Sequence, residues 1–179
     1  AERAEIIREK GTNRSNFFRG QVDKYTWVDI GSSYLPGEVI AAFLYAQLED
    51  AANITDNRIA IWNAYHQRFL DLECSGRLRR PIVPSECVHN AHMYYLLLKN
   101  LEDRTSFISH MKWRDVGCVF HYVPLHSSLA GMRYGRVHGD MSVTNDLSDK
   151  LVRLPLWVGL DESQEQIIQS AFRCLEAST

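Results

Sequence analysis

The sequence predicts an α/β protein in which one long helix leads into a small α/β domain. Its 179 residues match the usual size of one domain or of two small ones, and 45 % of them are hydrophobic, as in an ordinary globular protein. Apolar side chains recur at three-to-four spacing from Glu38 to about Leu72, which indicates a helix. Short strand and helix patterns then alternate from Val88 onward, which indicates helices packed on a small sheet.

The first part of the chain predicts a short helix, an irregular loop and the start of the long helix. Residues 1–10 have a helical pattern that ends at Gly11. Residues 13–27 mix aromatic and cationic side chains, which is typical of a loop or of short strands. The polar turn GSSYLPGE then leads directly into the long helix.

A boundary is predicted between residues 75 and 76, because the segment SGRLRRPIVP breaks both helical and strand patterns. We expect residues 1–75 to form one part with the long helix, and residues 76–179 to form a small C-terminal domain. The second part is predicted to contain, in order, a strand, a helix, a strand, a helical turn, a strand and a helix, at residues 88–98, 106–113, 117–123, 147–150, 151–156 and 161–175. Asp161 is expected to cap the last helix, with Gln164 three positions on.

Charge and composition argue against several functions. The net charge is −2 with both signs interspersed, which argues against a general binder of nucleic acid or of anionic membranes. The four cysteines lack metal-ligand spacing and favour a reducing cytoplasm. No apolar run approaches the length of a membrane span. The chain starts without Met and within a helical pattern, so we expect it to be a piece of a longer protein.

The turn from Gly31 to Glu38 combines the features of an anion site. Gly31 supplies a flexible backbone, Ser32 and Ser33 supply hydroxyls, and the missing N–H of Pro36 costs nothing in a first helical turn. Free N–H groups and the helix dipole at such a position favour a phosphate. An ordinary helix start has the same composition, so both interpretations stay open.

Two pairs of histidines raise the question of a metal site. In a strand, His89 and His92 point to opposite faces, and no carboxylate accompanies them at ligand spacing, so no metal is expected. The segment HYVPLH, residues 121–126, gathers two imidazoles and a phenol at the end of a predicted strand, where ligand sites commonly form. Packing of His121 in the core is the alternative.

Five segments together resemble the C-terminal half of the DegT/DnrJ/EryC1/StrS sugar aminotransferases. They run in the family's order over nearly the whole chain: REKGTNRSNFFRGQVDKYTW, DIGSSYLPGEVIAAFLYAQLE, HMYYLLL, VGCVFHYVPLHSS and LVRLPLWVGLDESQ. The resemblance implies the C-terminal portion of the type I aminotransferase fold, pyridoxal phosphate as cofactor, and a cytoplasmic homodimer. It also implies that glutamate donates an amino group to a sugar nucleotide, and the first two segments point to C4 of dTDP-4-keto-6-deoxyglucose.

The same resemblance implies roles for six residues. Ser33 occupies the position of a family Asn that reaches the cofactor phosphate in the partner subunit's active site. Nucleotide-side groups are expected among the side chains of the aromatic loop, and a substrate wall is expected in HYVPLH. The substrate-binding residues implied in this way are Arg19, Lys24, Tyr25, His121 and Tyr122.

The sequence also departs from the family pattern. Leu35 stands at the position of a family Arg, and Gly37 replaces a helix-capping Thr or Ser at little cost. The chain has five lysines, Lys10, Lys24, Lys99, Lys112 and Lys150. None of them lies in the family's Schiff-base motif, so no catalytic residue is predicted and the chain alone is expected to be inactive. Two alternatives remain, a non-catalytic dimerisation or interaction module and an aminotransferase for another keto sugar nucleotide.

Overall fold

The computed structural model describes residues 1–177, and the side chains of residues 1–176. The chain forms two compact units, unit 1 at residues 1–51 and unit 2 from Ala52 onward. The predicted division into parts at residues 75 and 76 stays a prediction. Among residues 1–177, no helix is long and apolar enough to cross a lipid bilayer.

Unit 1 contains three helices and almost no buried side chains. Helix α1 is Glu2–Arg8, α2 is Arg14–Phe18 and α3 is Glu38–Glu49, and none of these helices contains a buried residue. Helix α2 lies in the segment predicted to be irregular. The amide of Thr26 donates to Oδ1 of Asn13 over 2.7 Å, which holds the two ends of that segment together. By itself, unit 1 therefore lacks a hydrophobic core.

The long helix predicted from Glu38 to about Leu72 is helical but interrupted twice. Helix α3 is followed by α4, Ala51–Arg68, and α5, Leu70–Cys74. The interruptions are at Asp50 and Phe69, whose ψ angles are 11° and 4°. Asp is a poor residue for a helix interior because its side chain competes for backbone hydrogen bonds. Phe69 is fully buried, so core packing fixes its position.

Unit 2 contains a three-stranded antiparallel sheet in which β3, Leu151–Leu154, lies between β1, Tyr94–Leu97, and β2, Val119–Phe120. Tyr94 pairs with Leu154 across β1 and β3, and Phe120 pairs with Val152 across β2 and β3. A 3-10 helix covers Leu125–Ser127. The helices that follow β1 along the chain are α6 Leu101–Trp113, α7 Leu129–Tyr134, α8 Ser142–Lys150 and α9 Asp161–Ala177.

The three predicted strands are confirmed, but each is shorter than predicted. The strand expected from residue 88 begins only at Tyr94, after Ala91 adopts a φ of 48°, which no extended strand contains. Helix α6 begins earlier than predicted, because Oδ1 of Asn100 accepts the amide of Asp103 at 2.8 Å and caps the helix. Helix α7 was not predicted from the sequence.

The core of unit 2 forms around aromatic side chains. Tyr65, Phe69 and Tyr94 are fully buried, and Phe69 stacks on Phe172 with ring centroids 5.6 Å apart. The hydroxyl of Tyr65 donates to the carbonyl of Pro155 over 3.1 Å, so burial of this phenol leaves no unsatisfied donor. These contacts join the helices to the sheet.

The predicted cap of the last helix is wrong. Asp161 is the first residue of α9 instead of the residue before it. Gln164 is only 9 % exposed, and its Nε2 donates to the carbonyl of Ile61 over 2.7 Å. The amide is therefore used to bind α9 to α4, and it does not reach back to the start of its own helix.

Candidate functional site

Ser33 lies in a cavity of about 320 Å³ within unit 1. The lining combines basic groups, hydroxyls, one carboxylate and one aromatic ring. It is formed by Arg8, Glu9, Lys10, Thr12, Arg14, Tyr25, Ser33 and Leu35. Two of the residues implied by the family resemblance, Ser33 and Tyr25, thus line one space.

Backbone pairing brings Ser33 next to the end of α1. Glu9 and Ser33 form an antiparallel bridge. The amide of Lys10 donates to the carbonyl of Ser32 over 3.0 Å, and the amide of Tyr34 donates to the carbonyl of Arg8 over 3.0 Å. These main-chain bonds hold the turn beside the basic residues, independently of any side-chain contact.

Two glycines allow this close approach. Gly11 has a φ of 75°, and a Cβ added to it would collide with the carbonyl of Asp29. A Cβ added to Gly31 would collide with the amide nitrogen of Gly11. Lys10, which precedes Gly11, has a φ of 63°, an uncommon value for a residue with a Cβ. Strain of this kind is frequent at binding sites.

The cavity has an excess of positive charge. Its single carboxylate, Glu9, accepts a hydrogen bond from Ser15 at 3.3 Å and lies 3.7 Å from Nε of Arg14. Arg14 also lies over the rings of Phe18 and Tyr25, at 5.2 and 5.6 Å from their centroids. The ammonium group of Lys10 makes no ion pair within the described part of the chain. Three basic side chains against one carboxylate favour an anionic ligand.

The two cationic residues implied for the nucleotide, Arg19 and Lys24, do not line this cavity. Arg19 forms a two-bond ion pair with Glu5, with N–O distances of 2.6 and 2.7 Å. Its hydrogen bonds hold the pKa of Glu5 below the ordinary value. Lys24 is exposed. Sequence reasoning instead missed Arg8, Lys10 and Arg14, because the bridge between residues 9 and 33 has no signal in the sequence.

The residues present fit the phosphate of pyridoxal phosphate. Hydroxyls on Ser33 and Thr12 can donate to phosphate oxygens, while Lys10 and Arg14 can balance their charge. Thr12 now donates to the carbonyl of Glu9 over 2.8 Å, so Ser33 is the more available hydroxyl. The fit concerns this end of the cofactor, since no lysine of the family's Schiff-base motif is present.

His121 and Tyr122 lie in unit 2 with their ring centroids 5.0 Å apart. Tyr122 is 77 % exposed and lines a cavity of about 360 Å³ together with Arg104, Phe120 and Asn145. His121 is partly buried, and its Nδ1 has no hydrogen-bond partner among residues 1–177. The same range contains no cluster of three or more His, Cys, Asp or Glu residues able to hold a metal.

Solved structures confirm the predicted fold. The structure of DesV from S. venezuelae matches 98 % of this chain with a TM-score of 0.82 at 21 % identity. The PLP-form of a putative sugar aminotransferase from Streptococcus pneumoniae matches 97 % with a TM-score of 0.76 at 20 % identity. This chain covers 44 % and 42 % of those two chains, so its fold is that of a C-terminal portion of an aminotransferase.

Sequence comparison gives the family. An uncharacterised protein of Methanocaldococcus jannaschii is 26 % identical over 165 residues, which are 88 % of this chain and 42 % of that protein. The chain thus spans less than half the length of the relatives it matches. The sequence model of the DegT/DnrJ/EryC1/StrS aminotransferase family matches residues 1–173. With nearly its whole length matched, the chain belongs to the DegT/DnrJ/EryC1/StrS aminotransferase family.

Proposed function

We propose that this chain forms part of a pyridoxal phosphate-dependent transaminase of a nucleotide sugar. The observation that carries the proposal is the basic cavity around Ser33, at the position where the family resemblance implies a contact with the cofactor phosphate. Family membership supports the reaction class. The cofactor, when bound, supplies the electron sink for transfer of the amino group.

In this proposal the chain's own residues bind and orient the anionic groups. Ser33 donates its hydroxyl to the phosphate, and Lys10 and Arg14 neutralise the phosphate charge in a partly enclosed space, where the attraction is stronger than in water. Tyr25 forms an aromatic wall beside Arg14. In the homodimer that we propose, Ser33 serves the active site of the partner subunit.

We propose substrate-binding roles for five residues on the basis of the family resemblance. Tyr25, Arg19 and Lys24 provide groups for the nucleotide, and Arg19 must exchange its carboxylate partner Glu5 for a phosphate to do so. His121 and Tyr122 provide the wall for the sugar. The free Nδ1 of His121 supports this role, since a buried ring nitrogen without a partner can bond to a hydroxyl.

The specific reaction that we propose is amination of C4 of dTDP-4-keto-6-deoxyglucose by glutamate in the cytoplasm. This is the reaction of dTDP-4-amino-4,6-dideoxygalactose transaminase in the synthesis of enterobacterial common antigen. The support is the resemblance of the first two segments, including the GSSYLP turn. An aminotransferase for another keto sugar nucleotide is the alternative. Amination assays separate the two reactions when a polypeptide with the family's Schiff-base lysine motif is added and each keto sugar nucleotide is tried in turn.

The affinity of the chain for pyridoxal phosphate tests the central role of Ser33. We expect Ser33→Ala to weaken binding about tenfold, because it removes one hydrogen bond to a charged group. Ser32→Ala is the matched control, since Ser32 adjoins Ser33 but does not line the cavity. Isothermal titration calorimetry gives both dissociation constants. Equal binding by the two variants would show that Ser33 does not hold the phosphate.

A non-catalytic interaction module is the alternative of another class. The apolar surface of α3 favours it, because Val39, Phe43 and Leu48 are each more than 60 % exposed. An interaction module predicts that pyridoxal phosphate and a dTDP-sugar leave the melting temperature unchanged. A ligand-binding protein is stabilised in proportion to the logarithm of the ligand excess over the dissociation constant.

A further inference from the structure

Arg153 occupies the middle of the sheet on the side away from the core. It lies on the central strand β3 between Val152 and Leu154, which are 0 % and 5 % exposed. Because side chains alternate along a strand, Arg153 points to the opposite face. Directly paired residues share a face, so Arg153 lies between Tyr95 on β1 and Val119 on β2.

The guanidinium of Arg153 has no partner in the described chain. The residue is partly buried, and its Nε is fully buried without a hydrogen-bond acceptor. None of the carboxylates in residues 1–177 forms an ion pair with it. Its neighbours on this face, Tyr95 and Val119, carry no charge that could take the place of a carboxylate.

This arrangement is costly unless an anion completes it. A guanidinium stays protonated in proteins, so Arg153 cannot lose its charge as a buried Lys or His can. The Nε–H donor of Arg153 is buried without an acceptor, so it loses its hydration and gains no hydrogen bond in return. Val119 is 47 % exposed, so the face is open to a ligand.

We propose that Arg153 binds the carboxylate or phosphate group of a small-molecule ligand. The guanidinium presents its N–H groups in a planar fork that matches the oxygens of either group. Arg153 belongs to unit 2, whereas the cavity around Ser33 belongs to unit 1. Two sources of this anionic group are tested, the carboxylate of an amino donor and the phosphate of a nucleotide. The choice of these two rests on the proposed function.

NMR of the 15N-labelled chain tests the site directly, because the Nε–H group of an arginine gives its own signal. We expect a saturable shift of the Arg153 signal on titration with 2-oxoglutarate or with dTDP at constant ionic strength. A shift with 2-oxoglutarate alone assigns the carboxylate source, and a shift with dTDP alone assigns the phosphate source. Absence of a shift with both anions would overturn the proposal.

Variants separate binding at Arg153 from general charge effects. Arg153→Gln is expected to weaken the responsive anion about tenfold or more, and Arg153→Lys to retain part of the affinity. Arg173→Gln removes an exposed arginine of α9 and is the control, with unchanged affinity expected. Equal affinity of Arg153→Gln and wild type would overturn the proposal. If Arg153→Gln does not fold, the wild-type titration and Arg153→Lys still decide it.

The anion titration at Arg153 and the binding of pyridoxal phosphate at Ser33 can succeed or fail independently of each other. Pyridoxal phosphate that binds in a Ser33-dependent manner, with no anion response at Arg153, supports the proposed function and overturns this inference. The opposite result, an anion response at Arg153 without Ser33-dependent binding, supports this inference and contradicts the cofactor role of Ser33.

Discussion

Gly31 and Gly11 determine whether the turn can lie against the end of α1. Their backbones approach so closely that a methyl group on Gly31 would meet main-chain atoms of Gly11 and Ile7, which cannot rotate away. The sequence indicates a flexible turn here, but it does not show which segment lies against the turn. That contact decides which basic residues surround Ser33.

We therefore expect Gly31→Ala to disturb the cavity. The variant should weaken binding of inorganic phosphate and increase hydrogen exchange at the amide of Ser32, which now donates to the carbonyl of Ile7 over 2.9 Å. Gly37→Ala is the control, because no atom lies within 4 Å of the added Cβ. NMR titration and exchange measure both effects. Unchanged exchange at Ser32 in Gly31→Ala would contradict the packing described for this turn.

His66 makes unit 2 sensitive to moderate acid. Burial, followed by the positive charge of Arg80, lowers the pKa of His66 below its ordinary 6.5. The ring stacks on Trp62 at 4.5 Å, and the other charged or titratable groups that act on it are Glu73 and His89. As the pH falls, the unfolded chain therefore binds a proton before the folded chain does. Stability should be complete above about pH 6.5 and decline below it.

Urea unfolding between pH 7.5 and pH 5.5 measures this effect. The free energy of unfolding should fall over that range in the wild type and fall less in His66→Asn. Glu73 does not interfere, because its pKa is lowered: burial raises it, but the hydrogen bonds and charge of Arg80 outweigh burial. Its contribution is lost only below the ordinary value of 4.5. An equally steep decline in His66→Asn would contradict the assignment.

At the scale of elements, periodicity predicted the helices and strands better than their ends. The three-to-four spacing of residues 38–72 was sufficient for a helix, but the break at Phe69 depends on its contacts with Tyr94 and Phe172, which are distant in sequence. Likewise Gln164 matched a capping pattern locally, while its partner Ile61 lies 103 residues away. Such long-range contacts are not visible in a single sequence.

The bond from Gln164 to Ile61 should stabilise the packing of α9 on α4. Replacement of Gln164 by Met keeps the length of the side chain but removes the donor, and is expected to cost about 1–3 kcal/mol of unfolding free energy. Gln169→Met, which removes a contact with Glu165 on the exposed side of the same helix, should cost less than about 0.5 kcal/mol. Chemical denaturation of both variants measures the difference. Equal costs would mean that the buried bond contributes nothing.

At the scale of the whole molecule, the two units differ in how they are stabilised. Unit 2 has a core of buried aromatic and aliphatic residues, whereas the helices of unit 1 bury none of their side chains. The order of the five segments carried the resemblance, which supplied the fold and suggested Ser33 as a contact residue. The basic lining from Arg8, Lys10 and Arg14 required the structure.

The exposed apolar residues of α3 predict self-association. Phe43 is 70 % exposed in a helix that also exposes Val39, Ile40, Leu44 and Leu48, and a second copy would remove this apolar surface from water. We expect Phe43→Glu to shift the chain toward monomer, with Gln47→Glu as the control on the same helix. Sedimentation velocity measures the distribution. A wild type that stays monomeric at high concentration would contradict the proposed homodimer.

The most direct test of the account is a crystal structure of the chain with pyridoxal phosphate. The account predicts that the phosphate lies in the cavity of unit 1, within hydrogen-bond distance of Oγ of Ser33 and beside the ammonium group of Lys10. A cofactor phosphate bound elsewhere, with the cavity around Ser33 empty, would contradict it.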